Sequence, residues 1–241
     1  MTIEHIVFDH DGPVVTQKSV WSFLAEKLHQ PDLYRLKQER KITDEEMIYA
    51  SDALWRANGA NERFFLQTAR TLGLEPHITD VVNYLWERKK KLSIVSLAPK
   101  NIVEITAKRI HPRAFLDFGV YKAARRKRYK RETALRVAAT TPLFNSEGEY
   151  VGSFSYPVSS KPYSEYFWRR VLDKDLAISY IERRLGISRY ETMVVSDYEN
   201  QSVTQGRYVV AYKARDGFFQ DGARLVTDEL RDILKVPELR K

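Results

Sequence analysis

The sequence predicts an α/β fold with a mainly parallel sheet, and three observations carry that prediction. Short apolar runs of strand length alternate with segments of helical periodicity. Three of those runs end in an aspartate or a serine. Residues 17 to 91 read as almost unbroken helix, so the first strand–helix unit is interrupted by an inserted helical block.

The elements follow in chain order. IEHIVFD, residues 3–9, is a short buried strand, and GPVV after it is a turn or strand continuation. SVWSFLAEKLHQ places Val20, Trp21, Leu24 and Leu28 on one helical face. TDEEMIYASDALW opens with Thr43 and Glu46 in a capping-box arrangement, and Met47, Ala50, Leu54 and Trp55 suit a single face. NERFFLQTARTLGL is a further helix, ending near Gly73. TDVVNYLWERKKK is another, with Thr79 as its expected N-cap and lysines in its last turn, where the helix dipole favours them. LSIVS, residues 92–96, is the second strand, and APKNIVEITAKRI the helix after it. LFNSEGEYVGSFSYPV reads as two strands around a hairpin tip at SEGE. DKDLAISYIERRLGI is an amphipathic helix on Leu176, Ile178, Ile181 and Leu185. ETMVVSD, RYVVAYKA and ARLVT are strands, and DELRDILK is the closing helix. No internal repeat is present.

Composition narrows the function classes without choosing one. The 241 residues are 43% hydrophobic, enough for a sizeable core and against a disordered chain. A net charge of +8 favours anionic partners: phosphorylated metabolites, nucleic acid or acidic membrane surfaces. The absence of cysteine excludes a disulfide frame, a thiolate metal site and a cysteine nucleophile. No window approaches the ~18 apolar residues of a membrane span. The N-terminus shows no signal-peptide pattern. A soluble cytoplasmic protein is the expectation.

The most informative stretch is VFDHDGPVV. Asp9 and Asp11 stand one residue apart at the end of a buried strand. Like charges this close are costly unless a cation or a shared proton offsets them. Ser96 and Asp197 end two other strands. In open α/β sheets, ligands bind beyond the carboxyl ends of the strands, so neighbouring strands would bring these side chains into one pocket.

In this order the residues resemble the haloacid dehalogenase (HAD) superfamily of phosphohydrolases, which carries a Rossmann-like core. Asp9-His10-Asp11-Gly12-Pro13 matches its first motif, Ser96 its second, Lys174 at the head of a helix its third, and Ser196-Asp197-Tyr198-Glu199-Asn200-Gln201 its fourth. The resemblance is closest to the phosphoserine phosphatase-like branch. It implies a core of residues 1–16 and 81–241 with a helical C1-type cap at 17–80. It also implies a Mg²⁺-dependent phosphatase acting on a small phosphorylated substrate. Asp9 would be the nucleophile, forming an aspartyl-phosphate. Asp11 would be the general acid, then the base. Asp9, Asp197 and the backbone carbonyl of Asp11 would hold Mg²⁺, while Ser96 and Lys174 hold the phosphoryl oxygens. Lys161 competes with Lys174 for its role. His10 reads as packing or surface, and Glu199 and Asn200 as candidates near the metal.

The pattern departs from the branch in four places. Pro13 replaces a threonine, Leu97-Ala98 replaces glycines after Ser96, and Gln201 replaces the last acid. The cap position at which phosphoserine phosphatases carry a substrate-binding glutamate falls on Val20 or a neighbour, which argues against phosphoserine. A phosphotransferase or mutase on the same fold is the alternative. So is a non-catalytic member that binds nucleic acid through the basic run Arg125, Arg126, Lys127, Arg128, Lys130 and Arg131. No RNA-binding signature accompanies that run, and a solvated helix face is its ordinary reading. Trp21, Phe23, Trp55, Phe64 and Phe65 are expected to pack the cap's own core.

Overall fold

The computed structural model describes residues 2–111, 136–154, 172–197, 201–214 and 222–239. The basic run, Lys161, Glu199 and Asn200 lie outside them, and Gln201 is described in its backbone only.

Among the described residues, seven strands form one sheet in the order β4-β3-β2-β1-β5-β6-β7. The strands are β1 (His5–Phe8), β2 (Lys91–Pro99), β3 (Arg136–Phe144), β4 (Tyr150–Phe154), β5 (Thr192–Ser196), β6 (Tyr208–Tyr212) and β7 (Leu225–Thr227). All neighbours are parallel except β3 and β4, which form the expected antiparallel hairpin. The predicted α/β class with a mainly parallel sheet holds. β1 is central, buried at all four positions, because its alternate side chains enter different cores. Ile6 and Phe8 join the large apolar cluster on one face, while Val7 joins a smaller one on the other with Val95, Val194 and Ile178.

Between β1 and β2 lie α1 (Val20–Lys27), α2 (Leu33–Gln38), α3 (Asp44–Ala57), α4 (Glu62–Thr71) and α5 (Ile78–Glu87). The Thr43–Glu46 capping box opens α3 as expected. α5 does not start as expected. Its N-cap is His77, in the left-handed region at φ 68°, and Thr79 falls inside the first turn. The buried Ile78 pulls the start of the helix forward. The basic residues expected in its last turn lie past its end, since Arg88 is already the C-cap. α6 (Lys100–Ile110) follows β2, α7 (Lys174–Leu185) precedes β5, and the short α8 (Gln201–Thr204) precedes β6. The closing segment Leu230–Lys235 is a 3-10 helix, and a second 3-10 turn, Pro237–Leu239, follows it.

The expected aromatic cluster forms, but it is not private to the inserted helices. Trp21 stacks on Trp55 with ring centroids 4.9 Å apart. Trp55 in turn meets Tyr150 of β4 edge-on at 5.5 Å, and Phe65 meets Phe144 of β3 at 5.7 Å. A buried polar tie reinforces this contact. Asp52 of α3 accepts hydrogen bonds from the hydroxyls of Tyr150 and Ser153 on β4. The inserted segment leaves and rejoins the core side by side, where Thr16 N–H donates to Gly73 O at 3.0 Å and Val15 pairs with Leu74.

Candidate active site

The order of the strands reverses beside β1, between β2 and β5, and a crevice opens there at their carboxyl ends. The ladder continues one residue beyond β1, since Asp9 N–H donates to Val195 O at 2.8 Å. This places the Asp9 carboxylate on the lip of the sheet. A cleft of about 610 Å³ opens above it, lined by Asp9, Asp11, Ser96, Lys174, Ser196 and Asp197 among others. All five side chains singled out in the sequence therefore share one cleft.

Lys174 reaches Asp9 from the first residue of α7. Asp173 caps that helix by accepting from Leu176 N–H at 3.0 Å. Lys174 Nζ then stands 2.5 Å from Asp9 Oδ2, and Ser196 Oγ donates to the same oxygen at 3.3 Å. The other oxygen, Oδ1, accepts from His10 N–H at 2.8 Å. Ser96 Oγ accepts from Ala98 N–H at 3.0 Å, so its own proton is free to point at a ligand. Gly12, at φ +88°, lets the backbone pass beneath Asp197, whose Cγ would lie 3.0 Å from a Cβ at that position.

Charge is unbalanced here. Burial, and then the carboxylates of Asp9 and Asp11, push Asp197 up to about 7, against the opposing pull of Lys174. For Lys174 burial works against the charge, but Asp9, Asp11 and Asp197 outweigh it and raise its pKa. Three carboxylates around one ammonium leave a deficit of positive charge. An all-oxygen donor set of this kind suits a hard cation. Mg²⁺ is such a cation, keeping several waters and taking one or two carboxylates. Asp9 and Asp197 would hold it.

No family model and no curated protein sequence matches this chain. Solved structures do. A phospho-aspartyl intermediate analogue of phosphoserine phosphatase is 16% identical, with a TM-score of 0.67 over 98% of this chain and 99% of that one. A phosphoserine phosphatase from T. onnurineus is 15% identical, with a TM-score of 0.65 over 97% and 94%. A HAD family hydrolase from Salmonella enterica serovar Typhi is 13% identical, with a TM-score of 0.69 over 99% and 74%. The chain has the haloacid dehalogenase fold. Its likeness is to the phosphoserine phosphatase form of that fold, as the motifs implied.

Within the HAD fold, the departures can now be located. Pro13 is buried in the turn after Gly12. Leu97 and Ala98 both line the cleft beside Ser96. Val20 does not face the cleft: its side chain is buried in the core, and its backbone N–H donates to Asp11 Oδ2 at 2.8 Å. Trp21, beside it, does line the cleft, together with Lys18, Lys37 and Glu45. Two side chains make contacts at the site that the sequence did not assign to them. Ser196 was readable as the residue that stands where the motif has glycine. His10, expected as packing or surface, is fully buried and bonded to Asp11, a contact no local pattern announces.

Proposed function

We propose that this chain is a Mg²⁺-dependent phosphatase of small phosphomonoesters, working through an aspartyl-phosphate on Asp9. The observation that carries the reading is the contact of Lys174 with Asp9 in a cleft that also holds Asp11 and Asp197. Asp9 attacks phosphorus and the ester P–O bond breaks. Asp11 gives its proton to the departing oxygen. Lys174 and Ser96 hold the phosphoryl oxygens as charge moves between them. Water, losing a proton to Asp11, then attacks the aspartyl-phosphate, releases phosphate and restores Asp9. Bound Mg²⁺ would supply the positive charge that offsets the phosphate dianion.

Residues 17–80 serve in this reading as the cap over the cleft, with the chain at work in the cytoplasm. Among the described residues no helix is long and apolar enough to cross a membrane. The deciding experiment is hydrolysis of p-nitrophenyl phosphate with and without Mg²⁺, in the wild type and in Asp9→Asn. Metal-dependent turnover that disappears in the variant is expected. Full activity in Asp9→Asn would remove Asp9 as the nucleophile.

A further inference from the structure

One buried polar side chain beside the catalytic pair has no part in the reaction as described. The ring of His10 is fully buried. Its Nδ1 lies 2.8 Å from Asp11 Oδ1, and its Nε2 lies 2.8 Å from Thr106 Oγ1 on α6. Asp11 Oδ2 meets only the Val20 N–H, at 2.8 Å, among its described partners. An apolar residue would fill the same space without desolvating an imidazole, a cost that full hydrogen bonding offsets.

We propose that His10 is a positioning residue for the acid–base step, an inference that rests on the phosphatase reading above. Thr106 stands in the middle of α6, where its hydroxyl donates to Val103 O at 2.9 Å and so meets Nε2 as an acceptor. One proton then lies between Nδ1 and Asp11 Oδ1, 2.8 Å apart, and it fixes that oxygen against the ring. With Oδ1 held by the ring and Oδ2 by the Val20 N–H, the plane of the Asp11 carboxyl group is fixed. The carboxyl group is pinned from the core side, through His10 and Thr106, rather than left to rotate. Without that anchor, Asp11 would remain in the cleft but would no longer present its proton in one direction.

The experiment compares first-turnover release of the leaving group from two esters in the presence of Mg²⁺. p-Nitrophenolate leaves without needing a proton, whereas the alcohol of glycerol phosphate needs one. Thr106→Val keeps the size of the side chain and removes the hydroxyl that orients the ring. His10→Leu removes both anchors, and His10→Asn retains a donor near the Nδ1 position. Loss of oriented acid catalysis is expected to slow glycerol release in His10→Leu by about 100-fold, with p-nitrophenol release changed by less than about threefold. Thr106→Val is expected to move the same way by about tenfold, with His10→Asn between wild type and His10→Leu. Equal slowing of both esters, or slowing of neither, in folded Thr106→Val would overturn the positioning role, and that variant decides if His10→Leu does not fold. A wild type that hydrolyses neither ester would instead overturn the phosphatase reading, and the role of His10 with it.

Discussion

Gly12 shows how narrowly the site is built at the level of single residues. A side chain there would have to accept φ +88° and stand 3.0 Å from Asp197 Cγ. Gly12→Ala is expected to cost about 1–2 kcal/mol of stability for the backbone alone. Displacing Asp197 would lower the proposed phosphatase activity by about tenfold or more, as misplacement of reacting groups does. Thermal melts and p-nitrophenyl phosphate assays on the same sample check both effects. Asp197 itself makes a pH prediction. Its folded pKa, about 7, is raised above the ordinary carboxylate value. Its contribution to stability is therefore full below about pH 4 and is lost as pH rises towards 7. A cation that relieves the repulsion stabilises the ionised form. The rise in melting temperature on adding Mg²⁺ should be larger at pH 8 than at pH 5, and Asp197→Asn should abolish the difference. An equal rise at both pH values would count against Asp197 as the group that feels the metal.

At the level of elements, the position of Lys174 depends on what holds α7. Arg207, in the turn before β6, donates to both carboxylate oxygens of Glu182 at 2.7 and 3.0 Å, and to Asp175 at 2.7 Å. Its side chain is fully buried. Removing one partner of a buried pair leaves uncompensated charge, so Arg207→Met is expected to destabilise by about 3–5 kcal/mol. Chemical denaturation measures this, and a change under about 1 kcal/mol would show the network to be dispensable. The contrast between α7 and Arg207 marks what the sequence could reveal. The helix was legible from the spacing of Leu176, Ile178, Ile181 and Leu185, and the strands from apolar runs, because those periods are local. Asp9, Asp11, Ser96, Lys174 and Asp197 were legible because strand ends and a helix start place them. Arg207 with Glu182, His10 with Thr106, and Tyr150 with Asp52 join residues far apart in the chain, and no period records such pairs. The start of α5 departs from its local signal for a related reason: burial of Ile78 outweighs the capping preference of Thr79.

At the scale of the whole molecule, the aromatic cluster joins the inserted helices to the β3–β4 hairpin, and α4 packs on α6. The inserted segment therefore shares its apolar core with the sheet. A single calorimetric transition is expected, with no earlier melting of residues 17–80. Trp55→Ala, which takes a ring from the middle of the cluster, should lower stability by about 3–5 kcal/mol and shift that one transition. Two resolved transitions in the wild type would show the segment to be an independent unit.

The Thr16–Gly73 hydrogen bond has a consequence for how such a chain can change over time. The segment that brings Lys18, Trp21, Tyr34 and Lys37 to the cleft begins and ends side by side on the core. To the core it is a closed loop, and doubling the length of a flexible loop adds only about 0.6 kcal/mol of closure entropy. α2, which buries none of its residues yet brings Tyr34 and Lys37 to the cleft, is where added or deleted length would disturb least. Insertions there can alter the size of the admitted molecule while Asp9 and its neighbours stay where they are. On the proposed phosphatase reading, substrate range and reaction chemistry are thus free to vary separately in this architecture.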